Sequence, residues 1–250
     1  MKKFAMMLAL ALPLAFASCG DDDPVTSISL DKTAEAVDYG KTVTLSADVK
    51  KVNWSSSNEF VATVDGNGVV TAKHVGTATI TAEKDGASAS CKVTVNPVDN
   101  SFALPILNWG ASLTSVKNSV TDMTLLSESS SILMYAADAS YAYPWYTYSF
   151  GTSGLRGSMI SLTTDMDEEE NFQGWLEQYF GYYTIDEDNN LAYINASDIV
   201  DATIGVTYGY DADLNLVNAT FVPVTSNTRG TVFDLSAVES LREAVKEAKK

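Results

Sequence analysis

The chain has 250 residues, enough for one or two domains with real cores, and a formal net charge of −16. A surface that acidic repels phosphate, so nucleic-acid binding is excluded as an expectation. One histidine and two cysteines leave few residues for a metal centre or a nucleophile–base dyad, and no cofactor is expected.

Residues 1–18 have the parts of a secretory leader: a positive start at Lys2 and Lys3, an apolar stretch from Phe4 to Phe16, and small residues Ala17 and Ser18 before Cys19. The apolar stretch is short for a bilayer span. Phe16-Ala17-Ser18-Cys19 resembles a bacterial lipobox, with phenylalanine at the usual leucine position. The resemblance implies that Cys19 is diacylated and becomes residue one. An ordinary secretory signal is the alternative. Residues 19–23 then form an acidic tether. Gly20-Asp21-Asp22-Asp23 resembles the surface-export tether of lipoproteins in some Gram-negative phyla; a solvated linker with no sorting role is the other reading. Acyl chains anchor stably because each buried methylene contributes about 0.8 kcal/mol. Loss of Lys2 and Lys3 with the leader leaves 14 basic against 32 acidic residues, a net charge of −18.

Residues 24–97 show short alternating runs separated by turn residues, the pattern of an all-β sandwich. About seven strands are expected, beginning at Val25–Leu30. Val43, Leu45 and Ala47 should face inward, and Asp65-Gly66-Asn67-Gly68 suits a tight hairpin. Cys91 falls on the apolar face of Ala89–Val95 and reads as a small core hydrophobe. His74 reads as a loop residue. Val52-x-Trp54-Ser55-Ser56-Ser57-Asn58-x-x-Val61-Ala62-Thr63-Val64, Asn67-Gly68-Val69-Val70-Thr71-Ala72 and Gly76-Thr77-Ala78-Thr79-Ile80-Thr81-Ala82 together resemble the bacterial immunoglobulin-like group 2 domain. That family also occurs in adhesin stalks and envelope proteins. The resemblance implies a rigid spacer or adhesive module without catalysis.

Eleven of the 12 tyrosines and three of the four tryptophans follow residue 100. With Asn96-Pro97-Val98-Asp99-Asn100 as punctuation, this marks a domain boundary. Residues 98–229 read as an α+β domain that repeats itself, at about 101–164 and 165–225. Leu113–Val120, N-capped by Ser112, and Phe172–Phe180 are helices. Each precedes apolar strands, Ser131–Tyr135, Thr147–Gly151 and Ser158–Leu162 in one half, Leu191–Ile194, Thr207–Asp211 and Asn218–Val222 in the other. The offset is 58 to 60 residues throughout. Gly110-x-Ser112-x-x-x-Val116 before a meander is similar to the β-lactamase-inhibitor-protein and SmpA-like fold, although Leu-Gly-x-Pro after the helix is missing and the second unit lacks the glycine start. That likeness implies a binding surface. An incomplete lipocalin-like barrel is the competing architecture.

The repeat sorts the aromatic residues. Tyr146, Tyr148 and Phe150 match Val206, Tyr208 and Tyr210, so they read as a shared core face. Tyr141, Tyr143 and Trp145 match Asp201, Thr203 and Gly205, so the common fold does not require them. They are the candidate ligand platform, because flat rings stack on sugar faces and anchor protein partners. Packing beneath the helix or against the neighbouring domain is the alternative. Asp165, Asp167, Glu168, Glu169 and Glu170 read as a helix start. Asp211-x-Asp213-x-Asn215 reads as a hairpin turn, since Leu216 and Val222 stand where an EF-hand needs Gly and Glu. No spacing identifies a pair of catalytic carboxylates, so no catalytic residue is assigned. In 230–250, Ser236-Ala237-Val238-Glu239 reads as a capping box before a helix with an apolar stripe at Val238, Leu241 and Val245.

These readings combine into an immunoglobulin-like sandwich followed by an α+β domain of two helix-plus-antiparallel-meander units. The expected role is a lipid-anchored outer-membrane or surface-exposed display protein whose distal domain meets a glycan or an envelope protein. A purely structural envelope protein is the alternative, and a carboxylate-dependent hydrolase is a third reading.

Overall fold

The computed structural model describes residues 24–138, 140, 143–167, 171–185, 191–227, 230–233 and 235–250. Cys19, Tyr141 and Glu168–Glu170 lie outside the described residues.

The first domain is a two-sheet sandwich of seven strands. One sheet has the order β1 (Ala34–Asp38), β7 (Ala87–Asn96), β6 (Gly76–Lys84), β3 (Asn53–Ser56); the other has β2 (Thr42–Thr44), β5 (Val69–Ala72), β4 (Ala62–Val64). Leu45, Val70, Ile80, Cys91 and Val93 fill the space between the sheets, each buried. The alternating sequence places them there, since residues two apart share a face. Gly68 supplies the hairpin's positive φ of 80°, and a Cβ at that position would lie 2.3 Å from the Leu45 carbonyl. Asp65 Oδ1 accepts the N–H groups of Asn67 and Val69 at 2.8 and 2.9 Å, which closes the turn. The expected strand at Val25–Leu30 is absent: only an isolated bridge, Leu30 to Ala47, occurs there. The first strand is Ala34–Asp38, parallel to β7. Its alternation is muted by alanine and acidic residues, which hid it in the sequence.

The second domain is built on one open sheet with the order β12 (Gly181–Ile185), β13 (Leu191–Ile194), β14 (Ile204–Asp211), β15 (Leu216–Asn227), β11 (Gly154–Leu162), β10 (Trp145–Gly151), β9 (Ile132–Ala136), β8 (Thr124–Glu128); β16 (Gly230–Phe233) adds to β15. β12 and β8 are its two ends, so it is not a barrel. Each half is a helix, α1 (Leu113–Ser119) or α3 (Asn171–Glu177), followed by a four-strand meander. The halves join through their last strands, β11 and β15, with Ser158 opposite Phe221 and Ser161 opposite Asn218. Strands β8 and β12, each the first of its meander, have no clear alternation and make each meander four-stranded, where the sequence allows three or four. A short helix α2 (Thr164–Asp167) precedes α3.

Strand parity divides the sheet into two faces. Tyr146, Tyr148, Phe150, Ile160 and Leu162 point to one core with Phe172, Trp175 and Leu176 of α3 and Val116 of α1. The expected shared face of β10 is thus the main core. Ser112 caps α1 by accepting the Ser115 N–H at 3.1 Å. The opposite face is covered by the C-terminal helix α4 (Leu235–Ala248), whose Leu241 and Val245 meet Met134 and Met159. Helix α4 begins at Leu235, so Ser236 lies inside the first turn rather than capping it. The buried stripe is Ala237, Leu241 and Val245; Leu241 and Val245 are as expected, and Ala237 takes the place of Val238.

The domains touch directly. The N–H of Val75 donates to the Gln178 carbonyl at 2.6 Å, and a Cβ on Gly181 would lie 3.2 Å from the Phe60 ring. His74, expected as a plain loop residue, is part of this joint. Its ring stacks on Phe60 at a centroid distance of 3.8 Å, and its Nδ1 lies 2.7 Å from the Phe60 carbonyl.

Candidate functional site

Of the three platform residues, the structure describes Tyr143 and Trp145. Their rings stack on one another at 4.4 Å with an interplanar angle of 25°. Trp145 opens β10 opposite Ala136 and Ser161, which puts it on the α4 face of the sheet. Both rings are half-buried and pack at the margin of the Met134–Met159–Leu241–Val245 cluster. The two sequence readings, exposed platform and packing beneath a helix, therefore meet in one arrangement. Burial raises the Tyr143 phenol above its ordinary value.

Trp145 forms part of the wall of a groove of about 650 Å³ between α4 and the β8–β9 end of the sheet. Leu126, Ile132 and Ala244 supply its other apolar walls, with Ser127, Ser129 and Glu247 at its polar rim. An adjoining recess of about 320 Å³ shares Ile132, Ala244 and Glu247 and adds Ser131, Arg156, Ser240 and Glu243. An apolar wall with a few convergent polar groups, in volumes within roughly 300–1,000 Å³, is the usual form of a small-ligand site.

The sheet surface beneath α4 is unusually polar for a covered face. Thr147 Oγ1, Ser149 Oγ, Ser161 Oγ and Asn218 Oδ1 are buried and have no hydrogen-bond partner among the described residues. Each such atom costs on the order of 1–3 kcal/mol when it loses water without a replacement bond. Polar ties therefore help to seat α4. Arg242 Nε contacts Asp211 Oδ2 at 2.5 Å, and Lys249 donates to the Leu214 carbonyl. Burial pushes the Asp211 carboxyl up, but the Arg242 bond and the N–H groups of Leu214 and Asp213 outweigh it and hold the carboxyl below its ordinary value. Asp211 also closes the β14–β15 turn by accepting those N–H groups, as the hairpin reading expects.

Sequence reasoning missed the second wall of this groove. Arg156 sits at an irregularity in β11, and Ser240, Ala244 and Glu247 lie on α4 at helical spacing. A motif of that kind is visible only after α4 is placed on the sheet. Two exposed aromatics were missed as well, Tyr182 and Tyr183 on the end strand β12, 58 and 45% exposed, and Tyr210, expected on the shared core face, is instead exposed where β14 runs into its turn.

Among the described residues no group of three His, Cys, Asp or Glu side chains is placed to hold a metal ion. Cys91 is fully buried in the sandwich, and burial raises its thiol, which suits a packing role. The acidic stretch at Asp165 precedes α3, and its residues 168–170 lie outside the described residues. No described helix is long and apolar enough to cross a membrane.

Comparison with known proteins bears on the two domains unequally. An uncharacterised protein of Clostridium acetobutylicum is 41% identical over 99 residues, covering 36% of this chain and 10% of that protein. The kappa-carrageenase of Pseudoalteromonas carrageenovora is 40% identical over 78 residues, 28% of this chain and 20% of that enzyme. The chain thus spans a tenth and a fifth of these relatives' lengths. Among solved structures, domains 4–9 of the surface layer protein SbsC align with 81% of this chain and 28% of that chain, at 15% identity and a TM-score of 0.26. Domains 5–6 of the same S-layer protein align with 80% and 98%, at 16% identity and a TM-score of 0.25. Scores of that size fall below what a shared overall fold gives. Residues 24–95, which span the seven-stranded sandwich almost to its last residue, match the bacterial Ig-like domain (group 2) and carry its fold.

Proposed function

We propose that this chain is a cell-surface binding and display protein. Its Ig-like module holds the second domain outward, and the groove beside α4 takes a glycan. The bacterial Ig-like domain supports a surface structural or adhesion-type protein. The observation that carries the ligand reading is Trp145, stacked on Tyr143, lining a 650 Å³ groove that also carries the Ser127 and Ser129 hydroxyls. Flat rings pack on the C–H faces of sugars, while rim serines and a carboxylate exchange hydrogen bonds with sugar hydroxyls. No step of bond cleavage enters this reading, and no cofactor or nucleic acid takes part.

The anchor is the acylated Cys19, which would hold the chain at the outer membrane on its surface or periplasmic face. Cys19→Ala should release the mature protein from membranes; retention would overturn the lipid anchor. The groove is tested by a glycan array read with the intact chain and with Trp145→Ala. Specific binding that the substitution abolishes supports the reading. No binding, or binding indifferent to Trp145, overturns it.

A second reading, a structural envelope protein acting through protein contacts, is favoured by one observation. Among the described residues β12 is an end strand of the sheet, with Tyr182 and Tyr183 exposed on it, and end strands can accept added strands. Pull-down from solubilised membranes, lost on Tyr183→Lys, would select it.

A further inference from the structure

Resting on the groove reading above, we infer that the saccharide bound beside α4 carries an acidic substituent, a carboxylate or sulfate, and that Arg156 receives it. In the β10–β11 pairing, Ser149 stands opposite Gly157 and Phe150 opposite Leu155. Arg156 is the extra residue between them. A bulge of this kind re-aims a side chain, and here it turns the guanidinium onto the α4 side. The stem runs past Gly151, where an added Cβ would sit 3.4 Å from Arg156 Cδ.

The surroundings of this guanidinium differ from those of the other described arginine. Arg242 has two carboxylates, Asp211 at 2.5 Å and Asp213 at 3.9 Å. Arg156 has no carboxylate within 4 Å among the described residues. Its Nη1 and Nη2 donate to Ser236 Oγ at 3.3 Å and Ser240 Oγ at 2.5 Å, and its Nε is buried without a partner. Five N–H donors in a fixed fork are available on a guanidinium, and among the described residues neutral hydroxyls engage two of them. The recess carboxylates each have their own cation: Glu243 meets Lys246 at 3.8 Å, and Glu247 meets Lys250. Among the described residues Arg156 is the charge in the recess without an opposite partner, and it is the basic residue lining either part of the groove.

A guanidinium binds carboxylate and sulfate through paired, charge-assisted bonds, which are stronger than neutral ones. The chain's net charge of −16 opposes a dense polyanion at long range. The fitting ligand is therefore an oligosaccharide with an isolated acid group, its sugar ring toward Trp145 and its acid toward Arg156.

The test uses the intact chain, an oligosaccharide bearing one uronate or one sulfate ester, and its neutral counterpart. The acidic ligand should bind about tenfold more tightly. Arg156→Gln should remove that preference while leaving neutral binding, and Ser240→Ala, which removes a tie to α4 without removing charge, should keep it. Equal binding of both ligands, or a preference that survives Arg156→Gln, overturns the inference and leaves the groove reading standing. Loss of the preference in Ser240→Ala to the same extent assigns Arg156 to seating α4 and also overturns it. Failure of both ligands, unaffected by Trp145→Ala, overturns the groove reading together with this one.

Discussion

The side-chain oxygen of Gln178 accepts the backbone N–H of Val98 at 2.7 Å, joining residues 80 apart in sequence across the boundary between the two domains. The same oxygen accepts the Asp99 N–H at 3.0 Å, and Nε2 donates to the Asp99 carbonyl at 3.1 Å. Its backbone carbonyl takes the Val75 N–H from the Ig-like domain. One buried residue at the end of α3 thus ties the linker and the first domain to the second. Such a joint holds the second domain in a fixed direction relative to the first.

Gln178→Ala should loosen the joint before it unfolds either domain. Two linker N–H groups would lose their acceptor, at about 1–3 kcal/mol for each one left buried. Calorimetry should show one cooperative transition in the parent chain and two separated transitions in the variant, with a broader scattering envelope. A single transition with an unchanged midpoint would show that Gln178 does not couple the domains.

His74 gives the joint a pH dependence. Burial depresses its pKa, the bond to the Phe60 carbonyl partly opposes this, and the charge of Lys73 lowers it further. The unfolded chain then binds a proton at His74 in a range where the folded chain does not. Stability should be full above the unfolded value of about 6.5 and fall as pH drops from there through the lowered folded value. Urea midpoints at pH 8 and pH 5 should differ in the parent and converge in His74→Phe, which keeps the ring stacked on Phe60 without a titrating group. An equal pH dependence in both chains would assign the effect to carboxylates elsewhere.

The limits of the sequence can be located residue by residue. The Ig-like core was legible because Val43, Leu45, Ile80, Cys91 and Val93 alternate with polar neighbours, and period two has one physical meaning on a half-buried strand. The paired meanders were legible because helix and strand signals recur at a fixed offset. Strands β8 and β12 escaped because they end the sheet: Thr124–Glu128 and Gly181–Ile185 have one neighbour each and carry no buried run. The groove was half legible. Tyr143 and Trp145 stood out as aromatics that the repeat did not need, whereas Arg156 depends on a one-residue bulge that no periodicity announces. In α4 the Leu241 and Val245 stripe was legible, whereas its first member is the small Ala237 rather than Val238.

Gly157 controls how closely α4 approaches the sheet, and it provides the test of that helix as the second wall of the groove. A Cβ at this position would lie 2.9 Å from Ala237 Cβ, 3.1 Å from Leu241 Cδ1 and 3.3 Å from Ser149 Oγ. Ala237 is itself the smallest member of the buried stripe, and its Cβ, unlike the Leu241 Cδ1, cannot swing away. Gly157→Val should therefore lift the first turns of α4, at about 1–3 kcal/mol of overpacking, while the Phe172–Trp175 core on the other face stays closed. Hydrogen exchange should rise in 235–248 and remain low in β10 and β11. Because Trp145 and Ala244 both line the groove, affinity for the proposed glycan should fall in the same variant. Unchanged exchange in α4 would mean that the helix seats farther from the sheet than these distances place it, and the groove would lose its second wall.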